Sequence, residues 1–146
     1  MGFEHILVER SGDFATVTMN RPQRRNALSQ DHMRELIRAF TELGESDALG
    51  IVLAGNGPVF CSGHDFADVV DADLTQVRSL LTTCTELMTL MQQVPQPVVA
   101  RVHGLATAAG GTVGAGQRRL REREKESRWG SSTSWWSGPV ISPPSR

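Results

Sequence analysis

Phe60-Cys61-Ser62-Gly63-His64-Asp65 and Val102-His103-Gly104-Leu105-Ala106-Thr107-Ala108-Ala109-Gly110 decide how this chain is read. Each follows a short apolar run, Ile51-Val52-Leu53-Ala54 for the first and Pro97 to Val102 for the second. Short apolar runs bounded by turn residues read as strands buried on both faces of a parallel sheet. In parallel α/β folds ligands bind at the carboxyl ends of the strands. The loops 56–66 and 103–110 stand where such a site would lie. Gly63 and Gly110 permit close backbone approach, and Ala106, Ala108 and Ala109 keep that wall small. Two such loops facing each other can present two backbone N–H groups to one carbonyl oxygen, an oxyanion hole. Ordinary tight connections between strands and helices have the same texture, and spacing alone does not separate the two.

Outward from these loops the pattern is orderly. His5 to Arg10 and Phe14 to Met19 read as two strands joined by the turn residues Ser11-Gly12-Asp13, hence a hairpin. Asn20-Arg21-Pro22 closes the second strand. A helix is expected from Ser29, which can cap it with Asp31 in its first turn. Met33, Leu36, Ile37, Phe40 and Leu43 form its apolar stripe, and Gly44 is the expected stop. Leu74, Val77, Leu81, Cys84, Met88 and Met91 mark a second amphipathic helix, ended by Val94-Pro95. Strand, helix, strand, helix, strand is an α/β pattern.

The totals narrow the partners. A chain of 146 residues allows one domain. Residues 1–110 hold 8 Arg against 13 Asp plus Glu, a net of −5, and residues 111–146 hold 7 basic against 3 acidic residues, a net of +4; together they give the whole chain's −1. An acidic body offers no continuous basic face for nucleic acid. Cys61 and Cys84 form neither a CxxC pair nor a disulfide framework, so a reducing compartment is expected. No signal-peptide pattern or membrane-length apolar run is seen, and the expectation is a soluble cytoplasmic protein with no membrane partner.

After Gly110 the texture changes. All three Trp (Trp129, Trp135, Trp136) and the only Lys (Lys125) fall there. Arg118 to Arg128 mixes six cations with three Glu around a lone Leu120, a composition compatible with transient helix. Ser131 to Arg146 has the composition of irregular chain. The break reads as a reading-frame or splice change, with a divergent tail as the alternative. The expected organisation is a body over 1–110 and an atypical tail over 111–146.

Asn20-Arg21-Pro22, Asn26-Ala27-Leu28, Phe60 to Asp65 and Val102 to Gly110, taken in that order, resemble the crotonase superfamily, the enoyl-CoA hydratase/isomerase family. The resemblance covers residues ~3–110 and implies an α/β fold, the N-terminal half of a crotonase-like ββα spiral followed by an irregular C-terminal tail. It implies an acyl-CoA thioester as substrate, with coenzyme A as part of that substrate and no separate cofactor or metal. It implies an oxyanion hole made by the backbone N–H groups of His64 and Ala109, acting on an enolate. Arg24, Arg25 and Ala27 match the segment that holds the CoA nucleotide, and either arginine is a charged partner for its phosphates. Ser62, Asp65 and Phe66 fall where the family's loop contacts adenine and pantetheine, and Ala106 and Gly110 join the substrate wall. Homo-trimers and hexamers are the family's assemblies.

Bland readings stand beside these. Arg24 and Arg25 make an ordinary solvated pair. Cys61 suits a small packed residue better than a nucleophile, Asp65 suits a turn cap, and His103 at a strand end suits a structural role. The family's hydratases use two Glu as acid and base. The first would stand three residues after Ala109, where this chain has Thr112, and the Ser-rich stretch near Gly130 supplies no second. The expected function is acyl-CoA binding with hydratase/isomerase ancestry and impaired turnover. The alternatives are a non-catalytic acyl-CoA-binding or subunit-interaction module, and a non-functional product.

Overall fold

A computed structural model describes residues 2–115 and the backbone of residues 118–119. The calls on Ser131 to Arg146, on the exposure of Trp135 and Trp136, and on most of Arg118 to Arg128 lie outside the described residues, as does the side chain of Thr112.

The chain begins with a two-residue hairpin between β1 (Ile6–Ser11) and β2 (Phe14–Met19), in register from Ile6–Met19 to Ser11–Phe14. Ala15, Val17 and Met19 point inward from β2, the period-2 pattern of a strand with one buried face. Helix α1 (Gln30–Gly44) starts where Ser29 accepts the His32 N–H, and buries Met33, Leu36, Phe40 and Leu43. It does not stop on a left-handed glycine. Gly44 is its last residue and Glu45 stays right-handed; the end is held because the Leu43 carbonyl accepts from Ser46 Oγ (2.7 Å) and from the Gln96 amide (3.0 Å).

Strand β3 (Gly50–Gly55) lies parallel to β2, β5 (Val98–Ala100) lies parallel to β3, and β7 (Arg118–Arg119) adds to β5. The five-stranded order is β1-β2-β3-β5-β7. Arg118 and Arg119 thus begin as extended chain rather than helix, because β5 offers them an open parallel edge. The core sits between this sheet and α1 and centres on Met19, Leu28, Met33, Leu36, Phe40, Ile51 and Leu53.

Helix α2 (Leu74–Gln93) opens on a reciprocal capping box between Asp73 and Gln76 and packs on α1. Its buried residues are Leu80, Thr83, Leu87 and Met91. The stripe read from periodicity is displaced: Met91 is buried and Cys84 and Met88 are half-buried, but Leu74 and Leu81 are exposed.

Two short strands were not foreseen. β4 (Val59–Cys61) and β6 (Leu105–Ala106) pair in parallel as a separate two-stranded sheet. This pairing draws the two glycine-bearing loops together. Helix α3 (Ala109–Ala115) then crosses the junction expected at Gly110, so the ordered body continues to residue 115. Among the described residues no helix is long and apolar enough to cross a membrane.

Candidate active site

The first loop is fixed by an isolated parallel bridge between Leu28 and His64. Leu28 N–H donates to the Gly63 carbonyl (2.7 Å), and Asp65 N–H donates to the Leu28 carbonyl (3.0 Å). In such a bridge the groups of the central residue face away from its partner. The His64 N–H therefore points away from Leu28, and among the described residues it donates to no protein acceptor. Ala109 is the first residue of α3, so its N–H lacks an intrahelical acceptor.

The close approach depends on two glycines. Gly63 has φ +97°, and a side-chain carbon there would stand 3.0 Å from Ala108 Cβ and 3.7 Å from the Ala109 nitrogen. A carbon on Gly110 would collide with the Cys61 carbonyl and come within 2.8 Å of Cys61 Sγ. Thr107 N–H donates to the Cys61 carbonyl (3.1 Å) and Thr107 Oγ1 to the Ser62 carbonyl (3.1 Å), which ties the second loop along the first.

Seven residues singled out in the sequence gather at one cavity of about 430 Å³: Arg24, Arg25, Ala27, Ser62, His64, Asp65 and Phe66. Gln23, Leu105 and Thr107 complete its lining. Ala106, Ala109 and Gly110 are not in that lining; Ala106 pairs with Cys61, and Gly110 is buried against it. Phe66 and Leu105 present exposed apolar surface, 79% and 56% accessible, beside the cationic end.

Asp65 is almost fully buried. Its Oδ1 accepts from Arg24 (2.7 Å) and from the Ala67 N–H (3.1 Å), and its Oδ2 lies 3.4 Å from Arg21. Burial works against the carboxylate's charge, but the Arg24 hydrogen bond, the Ala67 N–H and the charges of Arg24 and Arg21 outweigh it, so its pKa falls below the ordinary value. The expected cap is present, and the carboxylate is at the same time an internal anchor. Arg24 is thereby paired, whereas Arg25 is exposed and makes no side-chain hydrogen bond or ion pair among the described residues.

Two residues of the site carried no assigned role in the sequence. Arg21 donates to the Ala27 carbonyl (2.9 Å) and to Ser29 Oγ (3.1 Å) as well as approaching Asp65. Asn26 is fully buried at φ 51°; its Oδ1 accepts the Arg21 N–H (2.9 Å) and its amide donates to the Asn56 and Val59 carbonyls (2.9 Å each). It ties the arginine segment to both ends of the loop before β4. The signal available was its membership of the Asn26-Ala27-Leu28 motif, since a buried amide has no hydropathy signature.

Cys61 is buried, its thiol donates to the Asn26 carbonyl (3.2 Å), and burial pushes its pKa up to about 11, against a role as thiolate nucleophile. His103 Nε2 donates to the Gly57 carbonyl (2.6 Å), a structural tie between the loops. Among the described residues no group of three or more His, Cys, Asp or Glu is arranged to hold a metal ion.

A five-stranded sheet that is parallel apart from its β1–β2 hairpin, with a smaller parallel pair beside it, is shared with solved crotonase-fold structures. The chain matches the enoyl-CoA hydratase/isomerase family over residues 9–115 and belongs to that family. It is 38% identical over 106 residues to enoyl-CoA hydratase domain-containing protein 3, mitochondrial, of Danio rerio, covering 71% of this chain and 37% of that protein. It is 32% identical over 101 residues to delta(3,5)-delta(2,4)-dienoyl-CoA isomerase, mitochondrial, of Rattus norvegicus, covering 60% and 31%. Among solved structures, an enoyl-CoA hydratase of Mycobacterium smegmatis superposes with a TM-score of 0.71 at 40% identity, over 74% of this chain and 43% of that one. The chain thus spans about a third of the length of these curated relatives.

Proposed function

We propose that the chain binds an acyl-CoA thioester along the cavity between residues 23–27 and 62–66. The observation that carries this reading is the Leu28–His64 bridge, which leaves the His64 amide unpaired beside the loop that begins α3. The His64 and Ala109 N–H groups would hold the thioester oxygen. As the bond pattern shifts toward an enolate, charge accumulates on that oxygen, and each well-placed donor is worth about 3–4 kcal/mol. Arg25 is the cation best disposed to meet a phosphate, since Arg24 is already joined to Asp65. Phe66 and Leu105 suit the less polar pantetheine arm.

Binding is better supported than turnover. Hydration needs a base for water and an acid for the α-carbon. The residue three after Ala109 is Thr112, and Asp65, the carboxylate at the cavity, is engaged by two arginines and a backbone N–H. The chain is therefore proposed as an acyl-CoA binder of hydratase/isomerase ancestry, with turnover at least ~10² below that of a family hydratase. Calorimetric titration with CoA, alongside loss of the crotonyl-CoA enoyl absorbance, tests both halves. Absence of CoA binding at low salt defeats the site; rapid hydration defeats the binding-only reading.

A further inference from the structure

Asn56-Gly57 lies in the turn between β3 and β4. Gly57 has φ +84°, and a side-chain carbon there would stand 2.7 Å from Pro22 Cβ, so the turn demands glycine. Glycine is also the residue that leaves its own backbone nitrogen least hindered. Asn56 is exposed; its Nδ2 donates to Asn20 Oδ1 (2.9 Å), and its Oδ1 accepts the Gly57 N–H (2.9 Å). Among the described residues that N–H has no other acceptor. The side-chain amide of Asn56 is therefore held against the next backbone nitrogen, and no strand or turn hydrogen bond restrains that nitrogen.

This arrangement suits an intramolecular acyl transfer. The Gly57 nitrogen, on losing its proton, forms a bond to Asn56 Cγ. The Cγ–Nδ2 bond breaks and ammonia leaves with that proton, closing a five-membered succinimide. Water then adds to one of the two ring carbonyls. Addition at Cγ restores the ordinary backbone, with aspartate at position 56. Addition at the backbone carbonyl breaks the original peptide bond and leaves the chain running through Cβ and Cγ, as isoaspartate. The net change is amide plus water to carboxylic acid plus ammonia, with no oxidant. Because the nucleophile is the next residue, the reaction needs no free face for a partner.

We infer that Asn56 is a site of spontaneous deamidation and isoaspartate formation, with water as the co-reactant. The position matters because the turn is tied on both sides. The Asn56 carbonyl accepts from the Asn26 amide (2.9 Å), and the Gly57 carbonyl accepts from His103 Nε2 (2.6 Å). Isoaspartate lengthens the main chain ahead of Gly57 by a methylene and turns the Asn56 carbonyl into a free carboxylate, so the two ties cannot both keep their geometry. Aspartate leaves the backbone as it was, and the Asn20 amide need only turn over to donate to it.

Incubation of the folded full chain at neutral and at mildly alkaline pH, followed by peptide mapping and isoaspartate-specific methylation, tests this. The chain's three asparagines supply an internal control. Asn56 is expected to convert progressively, and faster at the higher pH, while Asn20, followed by Arg21, and the fully buried Asn26 stay intact. Asn56→Ser should lose the signal. Aged wild-type chain rich in isoaspartate should unfold at lower denaturant than fresh chain, whereas fresh Asn56→Asp should unfold close to fresh wild type. An Asn56 that stays intact in the folded chain while a synthetic peptide of residues 53–60 converts, equal conversion at all three asparagines, or an Asn56→Asp variant as weakened as the aged chain would overturn the inference.

Discussion

Arg24 Nη2 lies 2.7 Å from Asp65 Oδ1, which joins the arginine segment to the glycine loop across 41 positions of sequence. The contact couples two parts of the candidate site that the sequence treats as separate. Asp65 also follows His64 directly and gives its N–H to Leu28, so whatever displaces the carboxylate disturbs the proposed His64 donor.

Replacing Asp65 by Ala removes the Ala67 cap and both arginine contacts, and is expected to cost on the order of 2 kcal/mol in chemical denaturation at neutral pH. Asp65→Asn isolates the charge. The folded carboxyl has a depressed pKa, so its contribution is complete above the unfolded value of about 3.9 and is lost as pH falls through the folded value. Below about pH 4 the wild-type chain should therefore lose stability faster than Asp65→Asn. Parallel acid titrations of the two would expose a shared slope if this account is mistaken.

Arg25 and Arg24 should separate in CoA binding. Arg25 is left-handed at φ 53°, a conformation Asn tolerates well, so Arg25→Asn keeps the turn while removing an unpaired cation. It is expected to weaken CoA about three- to tenfold at low salt, with less effect at high salt, and to leave the unfolding midpoint nearly unchanged. Arg24→Gln should lower both, because Asp65 loses a partner. Equal CoA affinity in Arg25→Asn and wild type would remove Arg25 from the proposed phosphate contact.

The strong periodicities were legible and the weak ones were not. β1, β2, β3 and α1 follow from alternation, an apolar run and a Ser29 cap, each decided by neighbours a few residues away. α2 was placed correctly along the chain but turned wrongly, because it carries apolar residues on two faces and buries the polar Thr83 in place of Leu81. β4 and β6 have three and two residues, too short to show a period, and exist because they pair with each other across more than forty positions. The glycine loops were legible as loops; that Asn26 and Arg21 hold them together is a property of burial and long-range hydrogen bonding.

His32 should give a second, separate pH dependence. Its ring is fully buried, Nδ1 donates to the Ala27 carbonyl (3.1 Å), and among the described residues Nε2 has no hydrogen-bond partner. Burial, with smaller effects from Arg21 and the edge-on His5 ring, lowers its pKa to about 4, despite the opposing Ala27 carbonyl and Glu35. Between pH 6.5 and 4 the unfolded chain binds the proton that the folded ring refuses, so stability falls as pH is lowered through that window and levels off below it. The loss is on the order of 3 kcal/mol. His32→Met, which leaves Arg21 to satisfy the Ala27 carbonyl, should flatten this window without touching the Asp65 window below it. Persistence of the slope in that variant would place its origin elsewhere.

Gly110 and Cys61 provide the sharpest steric test. Gly110→Ala places a methyl against the Cys61 carbonyl, Cβ and Sγ at once. Either α3 moves away from β4, which separates the two loops, or β4 moves and strains the Thr107–Cys61 hydrogen bond. The expected cost is about 2–3 kcal/mol, with loss of most CoA binding. Trimming the cysteine is the informative control. Cys61→Ala removes Sγ but leaves the backbone carbonyl, the tightest of the three contacts, where it was. The double variant Cys61→Ala/Gly110→Ala should therefore recover little in denaturation or in CoA titration. Full recovery would mean that the sulfur, not the backbone, sets the distance between the loops, and that the approach of α3 to β4 is looser than the geometry indicates.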